Sequence, residues 1–149
     1  MGDRTYVTLS VLKTQEREAA SHFPFDPEED WLDDQLAHFG FPEINYGNLG
    51  FLFELRAAGI AYDSRWESGG DYGAGTESLR FTSLGEAIEK TVYDSGKNPD
   101  LGYLMDRIDK PEELRDYILE HYDEVTNLDW ENQEKYGKLY QARKLIDPT

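Results

Sequence analysis

A formal net charge of −16, from 31 Asp and Glu against 15 Lys and Arg, constrains this 149-residue chain more than any other feature. Unpaired carboxylates are almost never fully buried, so the fold must give them surface while still enclosing an apolar core. The surplus costs stability through self-repulsion, and it decides what the molecule can approach. It repels nucleic acid and anionic membrane and attracts basic protein surfaces. Seven Phe, ten Tyr and three Trp supply a core and argue against disorder. The length predicts a single domain spanning 1–149. No run of about 18 apolar residues predicts a transmembrane helix, and residues 1–5 lack the basic-then-apolar order of a secretion signal. With no Cys, disulfides and thiol chemistry are excluded, and a cytoplasmic location is expected. Adaptation to high salt is a second source of such acidity.

Hydrophobic spacing predicts the elements. Val7, Leu9 and Val11 alternate with Thr8 and Ser10, so Thr5–Leu12 reads as a strand. Gln15–Phe23 reads as a short helix. Asp26–Asp34 reads as a proline-punctuated acidic loop and helix start. Phe39–Tyr46 suits a strand weakened by Pro42. Asn48 is placed to cap a helix bearing Leu49, Leu52, Phe53 and Ile60 on one face, with Gly59 at its exit. Ile60–Trp66 and Ser78–Ser83 read as strands joined by a flexible Gly-rich tip, and Ala87–Tyr93 as a further strand. Beyond Asn98-Pro99 the pattern is helical. Leu101, Leu104, Met105 and Ile108 are expected to face inward, a second helix runs from Asp109 to Val125, and a third holds Tyr136, Leu139, Tyr140 and Arg143. Together these predict an α+β domain: an antiparallel sheet of four to five strands, helices packed on one face, and a helical C-terminal third.

Two acidic surfaces emerge. No Lys or Arg occurs between Glu18 and Glu54, a span holding nine carboxylates. Six of them, Asp26, Glu28, Glu29, Asp30, Asp33 and Asp34, crowd around Trp31. On the helix ending at Val125, Glu112, Glu113, Asp116, Glu120, Asp123 and Glu124 fall within an arc of roughly 120° at about 100° per residue. Leu114, Ile118, Tyr122 and Val125 lie opposite and are expected to pack. The stripe is about 18 Å long at about 1.5 Å per residue. Its charge spacing, one per roughly 3–4 Å, approaches the phosphate spacing of one DNA strand, about 3.4 Å. Like charges one helical turn apart cost about 0.2–0.5 kcal/mol per pair. Asp123 and Glu124 also sit at the unfavourable end of the helix dipole. A stripe of this kind is not what stability alone would select.

Catalytic material is scarce. His22, His38 and His121 form no metal-ligand spacing, so neither a metal nor another cofactor is expected. Asp26-x-Glu28-x-Asp30 has the start of a calcium loop, but Trp31 and Ala37 stand where Gly and Glu are needed. No nucleophile elbow is present. Nothing singles out a pair among the 31 acids for glycosidase-type chemistry. Lys135, Lys138, Arg143 and Lys144 are expected to pair with nearby acids.

Residues 44–55, Ile-Asn-Tyr-Gly-Asn-Leu-Gly-Phe-Leu-Phe-Glu-Leu, continuing to Ala61-Tyr62-Asp63-Ser64, resemble small acidic proteins of bacterial phages and plasmids. In size and charge the chain is similar to the DNA-mimicking antirestriction proteins of those elements. That similarity is one of surface, and no residue carries over from it. It implies a non-enzymatic inhibitor in a bacterial host cell, occupying the basic nucleic-acid channel of a restriction enzyme or CRISPR effector. The partner-binding residues would be the acids of 26–34 with Trp31 and the stripe from Glu112 to Glu124. No direct contact with nucleic acid or membrane is expected, and homodimerisation stays open. The alternatives are an acidic interaction module for another basic partner and a small carboxylate-based hydrolase.

Overall fold

Alternation in the first segment produces a strand at the middle of the sheet. In the computed structural model, which describes residues 4–70, 72–96, 98–125 and 128–146 apart from the Glu124 side chain, β1 spans Arg4–Leu12. A 3-10 turn leads into α1, Glu16–Ala20, shorter than expected. There follow β2 (Glu29–Leu32), β3 (Leu36–Asn45), α2 (Leu52–Ala57), β4 (Tyr62–Trp66), β5 (Gly75–Phe81) and β6 (Ala87–Tyr93). Three helices complete the chain: α3 (Leu101–Asp106), α4 (Pro111–Val125) and α5 (Gln133–Ile146). The protein is α+β, with one six-stranded sheet in the order β2-β3-β1-β4-β5-β6, every described pairing antiparallel.

The extra strand is β2, which corrects the reading of 26–34 as a loop and helix start. All four of its residues are exposed, and it pairs only with β3. Charged side chains are what a sheet edge tolerates, and they hide the strand from a search for apolar alternation. β3 accommodates Pro42 through a bulge. Thr5 faces Ile44 and Val7 faces Phe41, so β3 holds one extra residue there, and Glu43 takes φ 53°.

Register separates the two sheet faces. Val7, Leu9, Val11, Ala37, Phe39, Phe41, Tyr62, Leu79 and Phe81 form the core with Leu49, Phe51, Leu52, Leu55 and Ile60. Ala19 of α1 and Tyr140 of α5 join the same cluster. Phe23 packs edge-on to Phe39 and Phe41, with centroids 4.9 and 5.3 Å away. The opposite face carries Tyr6, Thr8 and Ser10 from β1, His38 from β3, Asp63 and Arg65 from β4, and Ser78 and Arg80 from β5.

α5 is fixed at both ends of its contact. The buried Gln133 side chain accepts from the Phe81 N–H (2.7 Å) and donates to the Phe81 carbonyl (2.9 Å), closing the end of β5 as a strand would. Gly59, at φ +71°, lies directly against Gly137, where a Cβ would overlap the Gly59 carbonyl oxygen. α2 is shorter than the spacing implied. Phe51 occupies its N-cap, Asn48 instead accepts from the Gly50 N–H (3.0 Å), and Phe53 is exposed.

The larger correction concerns α3 and α4. Leu101, Met105 and Ile108, expected inward, are exposed, and only Leu104 is half-buried. On α4, Leu114 and Val125 are half-buried as expected, whereas Ile118 and Tyr122 are exposed. The inner face of α4 is instead Leu114, Tyr117, His121 and Val125, at helical spacing. Asp100 caps α3 by accepting from the Gly102 and Tyr103 N–H groups. Its own N–H donates to the Tyr117 hydroxyl at 3.1 Å, and the Tyr103 and Tyr117 rings lie 4.3 Å apart. α3 and α4 thus form an arm braced by tyrosines. Its far end meets the sheet edge, where Val125 shares a cleft with Lys90, Thr91, Val92 and Tyr93.

Candidate interaction surface

The acidic segment 26–34 folds over the β2–β3 turn, and its carboxylates divide into two groups. Asp33 accepts from the backbone N–H groups of Gln35 (2.9 Å) and Leu36 (2.6 Å) and from His38 Nε2 (2.8 Å). The His38 hydrogen bond, followed by the two backbone donors, holds its carboxyl down at about 2. Glu29 accepts from the Tyr6 hydroxyl. Burial, and then that carboxylate, push the Tyr6 phenol up to about 12. Asp26, Glu28, Asp30 and Asp34 are exposed and have no ion-pair partner among the described residues. Trp31 stacks on the His38 ring, 5.2 Å between centroids, and keeps its other side in solvent.

The α4 stripe divides less evenly. Glu113 pairs with Arg107 at 3.7 Å, and Arg107 lies over the Tyr103 ring. Glu112, Asp116, Glu120 and Asp123 are exposed without an ion-pair partner among the described residues. The Glu124 side chain falls outside the described residues.

Several of the molecule's cations are engaged elsewhere. Arg56 pairs with Glu89 (2.7 Å), Arg80 with Asp63 (3.0 Å) and Arg4 with Glu43 (3.6 Å). Arg65 grips Asp94 through both guanidinium nitrogens, at 2.9 and 2.6 Å. Of the α5 cations expected to meet acids, Lys138 pairs with Glu134 (3.9 Å). Arg143 instead donates to the Leu84 carbonyl, and Lys144 sits over the Tyr140 ring. Arg56, Arg143 and Lys144 line a cleft of about 270 Å³ with Glu86, Ala87 and Tyr140.

The two acidic surfaces do not merge. β2 forms one edge of the sheet and the α4 arm adjoins β6 at the other. Five inter-strand spacings of about 4.8 Å put them on the order of 24 Å apart.

Sequence reasoning missed two polar networks on the face between them. In the first, Ser10 Oγ lies 2.7 Å from His38 Nδ1, and the other ring nitrogen faces Asp33. The ionised Asp33 carboxylate accepts from Nε2–H, which leaves Nδ1 facing the Ser10 hydroxyl. Hydroxyl, imidazole and carboxylate stand in the order of a nucleophile relay. Ser10, however, is a buried mid-strand residue paired to His38 on one side and Asp63 on the other. It brackets two strands and lacks the exposed turn that a serine nucleophile needs. In the second network Asp63 accepts from Ser78 (2.6 Å) and from Arg80. Arg80 also donates to the Tyr62, Leu79 and Leu128 carbonyls and stacks on Trp130 at 3.7 Å. The signal for both was the polar alternate positions of β1 and β5, but only the register shows which residues meet.

The pKa of the Glu77 carboxyl is raised, by burial and then by Glu89. Neither Glu77 nor Glu89 lines the cleft beside Arg56. No group of three or more His, Asp or Glu is arranged for a metal ion among the described residues, and no described helix is long and apolar enough to cross a membrane. Compared with family models, curated proteins and solved structures, the chain finds no match.

Proposed function

We propose that this protein is a non-enzymatic acidic inhibitor that occupies the basic nucleic-acid channel of a bacterial defence enzyme, a restriction enzyme or CRISPR effector. Its carboxylates stand where DNA would present phosphates. One observation carries this reading: among the described residues Glu112, Asp116, Glu120 and Asp123 project from one helix face without an ion-pair partner, while Arg4, Arg56, Arg65 and Arg80 are matched to acids elsewhere. These four charges span about 16 Å, an average interval of about 5–6 Å, against about 3.4 Å between successive phosphates along the axis of a DNA strand. Asp26, Glu28, Asp30 and Asp34 supply a second contact at the opposite sheet edge, with Trp31 beside them as an aromatic anchor. Opposite charge steers such an encounter and makes it salt-sensitive.

The test is displacement of a labelled duplex from a panel of restriction enzymes and CRISPR effectors. A mimic competes with the duplex for at least one of them and weakens steeply between about 50 and 200 mM salt. Changing the α4 quartet to Gln and Asn lowers competition and flattens the salt dependence. Competition that is indifferent to these substitutions contradicts the proposal. Capture of a basic protein without displacement of its DNA would favour an interaction module that grips elsewhere.

A further inference from the structure

The arm exposes apolar side chains as well as charge. On α3, Leu101 (74% exposed) and Met105 (63%) are one helical turn apart on one face. On α4, Ile118 (52%), Leu119 (50%) and Tyr122 (62%) are exposed. At about 100° per residue, these three span an arc of roughly 100° beside the inner face, with the exposed Arg115 one turn before Ile118 and Leu119 on the same side, and Asp123, Asp116 and Glu120 begin where the arc ends. Going round α4, an exposed apolar band is therefore bordered by unpaired carboxylates. A nucleic-acid channel needs only the second of these. Contiguous exposed apolar surface rimmed by charge marks a protein-binding site.

We infer that the outer side of α4 is a docking surface for a cationic amphipathic helix of the partner protein. The helix would lay its apolar ridge on Ile118, Leu119 and Tyr122, and its Lys or Arg side chains would reach Asp116, Glu120 and Asp123. Charge selects this occupant over a second copy of the chain. A two-fold contact places the same patch on both sides. It would set the α4 carboxylates against themselves on two molecules that each carry −16. A cationic helix satisfies both halves of the surface at once, in the manner of helix-in-groove recognition. The inference rests on the proposed binding of a basic partner and names the kind of segment bound.

The probe is a Leu/Lys peptide with its leucines on one helical face, titrated against the full chain by calorimetry. A scrambled peptide of the same composition is the control. The amphipathic peptide should bind at least about tenfold more tightly than the scrambled one. Ile118→Ser with Leu119→Ser should abolish that preference, and Asp116→Asn, Glu120→Gln and Asp123→Asn together should weaken both peptides. Amide chemical shifts should move along 114–125. Equal binding of the two peptides overturns the inference. So does an unchanged preference in the Ser variant, or self-association by light scattering that the Ser variant removes in place of peptide binding. DNA displacement that survives the Ser variant but not carboxylate neutralisation would sink docking through the apolar band and leave the mimicry reading standing.

Discussion

The β2 segment and the α3–α4 arm are both acidic, and they hold their charge in different ways. In the β2 segment the fold engages part of the charge: Asp33 orders the β2–β3 turn and Glu29 takes the Tyr6 proton donor. Among the described carboxylates of α4, Glu113 is paired with a cation, and Glu112, Asp116, Glu120 and Asp123 are not. The arm also leaves apolar side chains uncovered that the sheet would have buried. The same residue types serve structure in one place and are left outward in the other. Substitutions in the sheet should therefore cost stability, and substitutions on the arm should cost partner binding.

The largest effect should come from Arg80→Leu. It removes the guanidinium from three carbonyls and from Asp63, and breaking a buried pair costs about 3–5 kcal/mol. Urea unfolding checks it, and a cost under about 1 kcal/mol would show that the network does not hold the sheet. Gln133→Ala comes next. It leaves the Phe81 N–H and carbonyl without partners, at about 1–3 kcal/mol for each buried group. The arm should behave differently: Ile118→Ser with Leu119→Ser should change unfolding free energy by about 0.5 kcal/mol or less, as exposed positions do. A large loss there would mean that the fold itself needs these side chains, and the contrast between the regions would fail.

Acid sharpens the comparison. The Asp33 carboxyl is lowered from 3.8 to about 2 in the folded state, so its contribution is complete above the unfolded value and is lost as pH falls through that window. Asp33→Asn should remove this step from the stability–pH curve. The Tyr6 phenol has the opposite sign, raised from 10.0 to about 12. Its contribution is complete below the unfolded value and fades as pH rises toward 12, and Tyr6→Phe should abolish the fade.

Much of the fold was legible in the sequence, and the exceptions have physical causes. The strand beginning near Thr5 was readable because one face is buried and periodicity shows it. Ala87–Tyr93 was readable from its sequence pattern although only Val92 of that edge strand is buried. β2 was not, because an edge strand needs no apolar face and Glu29 and Asp30 disguise it. Leu101, Met105, Ile118 and Tyr122 share helix sides as their spacing said, but spacing cannot say whether anything packs against such a side. The stripe on α4 was read directly, since helical geometry alone fixes it. That Asp33 and Glu29 are engaged was not, because Asp33 meets His38 through a turn and Glu29 meets Tyr6 across the sheet. The Ser10–His38 and Asp63–Arg80 contacts likewise depend on a register set by pairing between distant strands.

The claim that α4 carries charge the fold does not need is tested most directly by urea unfolding of Asp116→Asn/Glu120→Gln/Asp123→Asn at low and high salt. Glu112 is retained because its carboxylate gains from the helix N-terminus. Removing three like-charged contacts and an acid at the dipole's unfavourable end should raise stability by about 1 kcal/mol at low salt. The gain should shrink as salt screens the wild-type repulsion. A variant less stable than wild type at low salt would show instead that these carboxylates hold the arm together.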